Sequence, residues 1–419
     1  MKIRHCRVCH ADIKEIINIL DYKKVALAGS LLRRNQFNSE QKFPLKLVIC
    51  KKCKHLQINF NPKRDLLFKN YFWETGISSQ NIYLITKLAN DIQKKMKISK
   101  KSKIIEVASN DGSLLKIFSK KFNCQIIGVD PAVNFKNKLK KDSIKSITDY
   151  FSYRLSKNIK KKHGLFDICI ARNVMAHLKN PNDIFKGVKN ILNSNGLLII
   201  EVPHLLNIYK EYQYDNVCHE HVGFHSLRSI IDLSKIHGLY LYDVEIIDSQ
   251  GGSIRCYLTN KKKIITNNVR KILNIETRNN IFQIKSWLKF AKEIINHNNK
   301  FRKLLIGLKS KGNKISIYGA SGKGQTLLQF LELNNDFFDN IFDKNKNKHN
   351  YYSPGTHIKI IDPKFIYIKK PEYILVCAWN LINEIVKEHK KYLFHGGKFI
   401  IPFPKPTIIS YENAKNKYF

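Results

Sequence analysis

Short β-rich runs alternate with helical stretches twice along this chain of 419 residues, and that alternation restricts the possible fold more than any other feature. Lys103-Ile104-Ile105-Glu106-Val107 reads as a strand, with a helix through Leu114 to Phe118 after it. Gln125–Val129, Phe166–Ile170 and Leu197–Ile200 continue the series. A long helical stretch over 277–309 leads to a second series, with Ile315–Tyr318, Asp339–Phe342, Tyr373–Val376 and Phe399–Ile401 as its strands. Strands separated by helices pair in parallel, because a parallel crossover needs a dozen or more residues to return to the same end of the sheet. The expected class is therefore α/β, with two doubly wound units.

The first 75 residues do not share this rhythm. They are irregular and carry Cys6-Arg7-Val8-Cys9 and Cys50-Lys51-Lys52-Cys53. Each C-x-x-C pair presents two thiolates to one ion, so Cys6, Cys9, Cys50 and Cys53 complete a four-thiolate tetrahedral site for Zn2+. The long insertion between the pairs costs loop entropy only logarithmically. A closed four-thiolate site leaves no open position, which favours a structural role over a catalytic one; a redox dithiol is the alternative. A connecting helix over 80–98 places Ile82, Ile85, Leu88, Ala89 and Ile92 on one face. The expected domains are 1–75 (zinc-binding), 76–265 and 266–419.

Composition excludes several classes. At 43% hydrophobic and 11% aromatic residues the chain is globular rather than disordered. The formal charge of +41 suits an anionic partner, but the lysines are spread over the whole length together with many Ile and Asn, the mark of biased coding rather than of a nucleic-acid stripe. No apolar run approaches a membrane span; Gly196–Val202 is the length of a buried strand. The start Met1-Lys2-Ile3-Arg4-His5-Cys6 has no apolar signal region, and nine cysteines without one point to a reducing cytoplasm.

Glu106-Val107-Ala108-Ser109-Asn110-Asp111-Gly112 stands where a strand turns into a helix, and Asp130 ends the next strand. Small residues let the backbone approach a ligand, the helix start offers free amides, and an acid there accepts ribose hydroxyls. Glycine is too sparse for a dinucleotide fingerprint, so the pattern reads as a site for another adenosine-containing cofactor. Gly319-Ala-Ser-Gly-Lys323-Gly324 occupies the same place in the second series. It is not a phosphate loop of the ATPase type, because Ile317 stands where the first Gly belongs and Gly324 replaces the Ser/Thr.

Glu106–Gly112 followed by Gly128-Val-Asp-Pro-Ala132 resembles the cofactor loop of the C-methyltransferases that act on nucleotide-linked deoxysugars. Asn173-Val-Met-Ala-His177, Glu201-Val-Pro203, His219-Glu220-His221, Gly251-Gly-Ser-Ile-Arg255, Pro354-Gly-Thr-His357 and Trp379-Asn380 extend the resemblance over the whole chain. It implies a class I, Rossmann-like methyltransferase domain between a zinc-binding N-terminal domain and a second Rossmann-like α/β domain that holds the substrate's nucleotide. It implies S-adenosylmethionine as cofactor, held by Glu106, Ala108, Ser109, Asn110, Gly112, Asp130, Pro131 and Asn173. His221 is the implied base, with Glu220 and His219 beside it and His177 polarising a keto oxygen; Trp73, Cys218, Arg255 and Lys323 would meet the substrate. On the residues alone, His219-Glu220-His221 suits a surface turn or a chelating pair equally well.

The implied reaction removes the C3 proton of a 4-keto sugar, and the enolate attacks the sulfonium methyl. Two residues depart from the family pattern. Cys218 stands where a Tyr is expected before His219, and Trp73 where another site Tyr is expected, so two phenol donors are missing. The departures leave open a different acceptor, RNA included, or a relative that binds cofactor without turnover.

Overall fold

The computed structural model describes residues 1–69 and 71–418 and contains three sheets. The N-terminal strands are β1 (Ile16–Ala26), β2 (Lys42–Cys50) and β3 (Leu56–Ile58). The central ones are β4 (Lys103–Val107), β5 (Gln125–Val129), β6 (Lys145–Ile147), β7 (Phe166–Arg172), β8 (Leu192–Pro203), β9 (Gly223–Phe224), β10 (Tyr240–Ile247) and β11 (Ser253–Thr259). The last group is β12 (Ile315–Tyr318), β13 (Ile341–Phe342), β14 (Ile360–Ile361), β15 (Tyr373–Val376), β16 (Lys398–Ile401) and β17 (Thr407–Ile409).

The seven-stranded sheet runs β10-β11-β8-β7-β4-β5-β6, and the six-stranded one β14-β13-β12-β15-β16-β17. In both, the first strand of the series lies inside and later strands are added on either flank in parallel; the strand that runs against the others is β11 in one and β17 in the other. That reversal of winding direction beside the first strand opens a crevice at the strands' carboxyl ends. The N-terminal sheet is antiparallel, and its fourth strand, β9, comes from residues 223–224. The 1–75 stretch thus takes its last strand from the middle of the chain.

Packing follows the same interlocking. Leu45, Leu47 and Ile49 of β2 share a core with Trp287, Phe290 and Ile294 of the helix Ile284–Lys309 and with Ile315 and Ile317 of β12. Cys6 and Cys50 sit in a second core with Val188 and Ile230, which flank the seven-stranded sheet. The connecting helix spans Ser79–Lys95 and buries Ile85, Leu88, Ala89 and Ile92, whereas Ile82 is exposed. The single helix expected over 277–309 is instead two, Asn267–Arg278 and Ile284–Lys309. Asn280 is left-handed at φ 55° and ends the first, and the Trp287 indole N–H donates to Ile281 O at 2.8 Å to set the start of the second. Of the run 339–342, only Ile341 and Phe342 pair as strand. Among the described residues no helix is long and apolar enough to cross a membrane.

Arg255 on β11 is 1% exposed; its Nε donates to Glu201 Oε1 at 2.7 Å, and its Nη1 lies 3.4 Å from both Glu245 and Asp91. Glu201 Oε2 also accepts from Arg172 Nε at 2.8 Å. Burial pushes the Glu201 carboxyl up, but the two guanidiniums outweigh it and hold the group below its ordinary range. Removing one partner of such a buried pair leaves a charge uncompensated. Arg255→Met is expected to destabilise the chain by about 3–5 kcal/mol, read in denaturant unfolding, with KM for the acceptor unchanged in the folded fraction. A raised KM at unchanged stability would place Arg255 on the substrate instead.

Candidate active site

Because both parallel sheets open toward each other, a cavity of about 380 Å3 is walled by the carboxyl ends of both. From the seven-stranded sheet come Val107, Ala108, Asp130, Asn173 and Pro203; from the six-stranded one come Tyr318, Gly319, Asp343 and Ala378. Ala28, Gly29, Leu31 and the segment Tyr71–Glu74 close it from the N-terminal part.

At the cofactor end the backbone is forced into left-handed conformations, φ 59° at Ala108, 52° at Asn110 and 52° at Asn173. Asp130 accepts the Asn110 N–H at 2.8 Å and the Ala132 N–H at 2.9 Å, which ties the loop after β4 to the end of β5. A carboxylate has about four lone-pair sites, so two remain for ribose hydroxyls. Asn173 Oδ1 is buried with no hydrogen-bond partner, an acceptor waiting for a donor. These groups fit S-adenosylmethionine, which carries ribose hydroxyls and an ammonium. Pro131 lines the same end.

Three residues expected in the cofactor contact lie behind the cavity wall. Gly112 is left-handed at φ 74° and starts the helix Ser113–Phe122; a Cβ there would meet Leu139 at 2.4 Å. Ser109 is 3% exposed under the loop, with Gly128 close against its hydroxyl. Glu106 is 2% exposed; burial pushes its carboxyl up to about 8 although Arg172 stands 3.8 Å away, and its Oε2 has no partner.

His177, Cys218, Glu220 and His221 all line the cavity. His177 Nδ1 bonds the Glu220 carbonyl at 2.8 Å, and His221 Nδ1 bonds the Asn216 carbonyl at 2.8 Å. A carbonyl only accepts, so in each ring Nδ1 carries the hydrogen and Nε2 holds a lone pair. The rings lie 5.1 Å apart. Burial, with charge from His177 and Lys323, pulls His221 down to about 3, so the imidazole is neutral across the physiological range. The same tautomer makes neutral His177 an acceptor at Nε2, unable to donate to a keto oxygen as the sequence reading expects.

Glu220 is 7% exposed and packed against Gly29 and Gly322, where a Cβ would stand 3.0 Å and 3.6 Å from its carboxylate. Burial pushes its carboxyl up to about 7, opposed by the Tyr71 hydroxyl, which donates to Oε2 at 3.5 Å, and by Lys348. Trp73 lines the cavity and its carbonyl accepts from Asn110 Nδ2 at 3.0 Å. Cys218 is buried and its thiol is pushed up to about 12, so it stays protonated.

His219 and Arg255 are not brought to the cavity. His219 Nε2 donates to Pro44 O at 3.0 Å, pinning the His219–His221 loop to the N-terminal sheet. Residues that the sequence reading passed over include Gln250, Asp343 and Lys348. Asp343 had a signal: it ends the second strand of its series as Asp130 does, and it accepts from Ala320 N and Asn345 N as Asp130 does from Asn110 and Ala132.

The cysteine cluster is separate from the cavity. The four sulfurs lie within 4.8 Å of one another, with Cys6–Cys53 at 3.5 Å and Cys9–Cys50 at 3.7 Å. Four thiolates about 2.3 Å from one ion in a tetrahedron would stand about 3.8 Å apart, so the spacing fits zinc.

Three family models match successive stretches of the chain: a domain described as zinc binding over residues 6–68, a methyltransferase domain over 79–244, and a C-methyltransferase C-terminal domain over 248–404. The C-methyltransferase NovU of Streptomyces niveus is 29% identical over 415 residues, covering 98% of each chain. Among solved structures, the PH0226 protein of Pyrococcus horikoshii OT3 matches 45% of this chain and 94% of its own at 17% identity and a TM-score of 0.36. The magnesium protoporphyrin IX methyltransferase of Synechocystis PCC 6803, solved with bound SAH, matches 43% and 83% at 9% identity and a TM-score of 0.34. Fold, cavity and family models together define an S-adenosylmethionine-dependent methyltransferase. The chain thus carries, in order, a zinc-binding domain, a methyltransferase domain and a C-methyltransferase C-terminal domain.

With Cys6 and Cys50 fully buried in a core shared with the seven-stranded sheet, the zinc site is expected to support the fold. Cys50→Ser should lose one zinc per chain by native mass spectrometry and lower the thermal midpoint. Loss of the metal with an unchanged midpoint would contradict a structural role.

Proposed function

We propose that this enzyme methylates C3 of a nucleotide-linked 4-keto-deoxysugar through an enolate, with His221 as the base. The observation that carries this reading is the His221 tautomer: a neutral imidazole whose Nδ1 is held by a backbone carbonyl and whose Nε2 belongs to a cavity bounded by the strand ends of both parallel sheets. Ala108, Asn110, Asp130, Pro131 and Asn173 would hold the cofactor, with Glu106, Ser109 and Gly112 shaping the loop from behind. Bound there, S-adenosylmethionine supplies an electrophilic methyl group.

The chain's own residues supply the rest. Removing the C3–H proton sends that bond's electron pair into a C3=C4 double bond and the carbonyl pair onto oxygen, with the proton on His221 Nε2. Ionised Glu220 accepts hydrogen bonds from sugar hydroxyls, steadied by Tyr71, and Trp73 gives the sugar an apolar face. Lys344 and Lys348 beside Asp343 suit the anionic nucleotide. The three sheets and the three family-model intervals support a division into 1–75, 76–265 and 266–419, and a cytoplasmic location accords with free thiols serving a metal.

The test is mass spectrometry and NMR of the protein incubated with S-adenosylmethionine and a panel of nucleotide-linked 4-keto-6-deoxysugars. One methyl gained at C3, with solvent deuterium entering C3 of the sugar not yet methylated, is the expected result, and His221→Ala should lower kcat by about 100-fold or more. Methylation on oxygen or nitrogen, or of RNA in place of any ketosugar, would overturn the reading.

The pH profile gives a second check. His221, pulled down to about 3, does not titrate between pH 5 and 9, whereas Glu220 does at about 7. If the ionised carboxylate binds the sugar, kcat/KM falls as pH drops through about 7. Tyr71→Phe removes a hydrogen bond that lowers this value, so it should move the limb upward, and Glu220→Gln should abolish it. A limb left in place in Glu220→Gln would assign it to another group.

A further inference from the structure

The geometry points to Lys323 as a catalytic residue: its ammonium holds the negative charge that develops on the acceptor's keto oxygen while His221 takes the neighbouring C–H proton. The inference rests on the ketosugar reading above and deepens it by naming the oxyanion donor. The step balances within the active site. The C–H pair becomes the C=C bond, the carbonyl pair becomes O−, the proton rests on His221, and the N–H groups of Lys323 bond the oxygen.

An enolate oxygen needs hydrogen-bond donors or a cation in a dry site. The two imidazoles present lone pairs to the cavity, and positions 73 and 218, where phenols are expected, hold Trp and Cys. Arg64, also on the cavity wall, lies over the Tyr150 ring at 5.4 Å, and three further cavity cations are paired with carboxylates. Lys348 Nζ bonds Ala320 O and Asp343 Oδ2, Lys344 pairs with Glu384 and Glu388, and Arg172 pairs with Glu201 and Glu106. The Tyr71 hydroxyl is given to Glu220.

Lys323 differs from all of these. It is 8% exposed, lines the cavity, and spends one N–H on Gln250 O at 2.8 Å. An ammonium has three N–H groups, so two remain. Its backbone is delivered by the first turn of the helix Gly322–Leu331, against the Glu220 carboxylate: a Cβ on Gly322 would stand 3.6 Å from both carboxylate oxygens. That close approach brings the C-terminal α/β part to the reacting end of the cavity.

The groups around the ammonium favour this use over phosphate binding. Asp215 is fully buried; its Oδ2 accepts from Trp379 Nε1 at 2.7 Å, and its Oδ1 has no hydrogen-bond partner. The Trp379 ring lies 5.8 Å from Lys323 Nζ. Burial lowers the lysine's pKa, and the Asp215 carboxylate opposes that fall. In turn the Lys323 charge acts on both Cys218 and His221, lowering each. One cation therefore adds to the burial that keeps the base neutral before the reaction and serves the oxygen that becomes anionic during it.

The experiment uses the full zinc-loaded chain, S-adenosylhomocysteine or S-adenosylmethionine, and the ketosugar that the wild type accepts. Lys323→Met should slow both C3 deuterium exchange and kcat by about 100- to 1,000-fold, with KM and cofactor affinity little changed; Lys323→Arg should recover part of the loss. A raised KM at wild-type kcat would make Lys323 a phosphate ligand and overturn the inference, as would wild-type exchange. Should Lys323→Met fail to fold, Asp215→Asn decides. Without the opposing carboxylate the ammonium loses its proton at lower pH, so the alkaline limb of C3 exchange moves down. An unmoved limb overturns the assignment. Absence of exchange by the wild type on every ketosugar removes the underlying reading, and the assignment with it.

Discussion

A parallel sheet delivers all its carboxyl ends, and all its following loops, to one edge, and this enzyme sets two such edges face to face. Everything at the site descends from that constraint. The backbone polar groups at a strand's end have lost their ladder partners and must be satisfied by side chains, by helix starts or by ligand. Asp130 and Asp343 meet that need in the same way, each taking one N–H from the loop after the first strand and one from two residues further along its own loop. Two sheets unrelated in function thus present the same kind of rim, one suited to the cofactor and the other to the second ligand.

Facing edges do not hold themselves at a fixed distance. The N-terminal strands act as the spacer: β2 shares one core with the helix Ile284–Lys309 and β12, while the cysteine knuckles share another with the seven-stranded sheet. β9, from residues 223–224, completes the N-terminal sheet immediately after the His219–His221 loop, and His219 is tied to Pro44. The N-terminal sheet, whose strand β2 ends in a cysteine knuckle, thereby fixes the loop that carries His221, the proposed base. A small metal domain has a reason to be here that is neither catalysis nor independent stability.

Much of this was legible in the sequence because the signals were local. The period of the strands, the paired C-x-x-C knuckles, the acid ending β5 and the small residues after β4 each follow from chemistry within a few residues, and each stands as an element or cluster in the fold. What escaped depends on distant partners. Nothing within reach of Arg255 shows that Glu201, Asp91 and Glu245 surround it, so a cation in a motif reads as a substrate ligand. His219 looks like His221 until Pro44, 175 residues away, claims its ring. The break at Asn279–Gln283 was hidden because the apolar period continues across it, and only the left-handed Asn280 and the Trp287 bond to Ile281 interrupt the helix.

Histidine tautomers show why a motif underdetermines chemistry. His177 and His221 are both neutral, both buried and both bonded at Nδ1 to a carbonyl, so both are acceptors toward the cavity. Two acceptors cannot divide the work of base and oxyanion donor between them, whatever their order in the sequence. For the proposed enolate a donor must come from elsewhere, and with Cys218 and Trp73 in place of phenols the second α/β unit offers the two remaining N–H groups of Lys323. On this account the C-terminal domain is part of the catalytic apparatus, because the charge separation of an enolate requires base and cation on opposite walls. A fold that closes two parallel edges on one cavity supplies them from two different sheets.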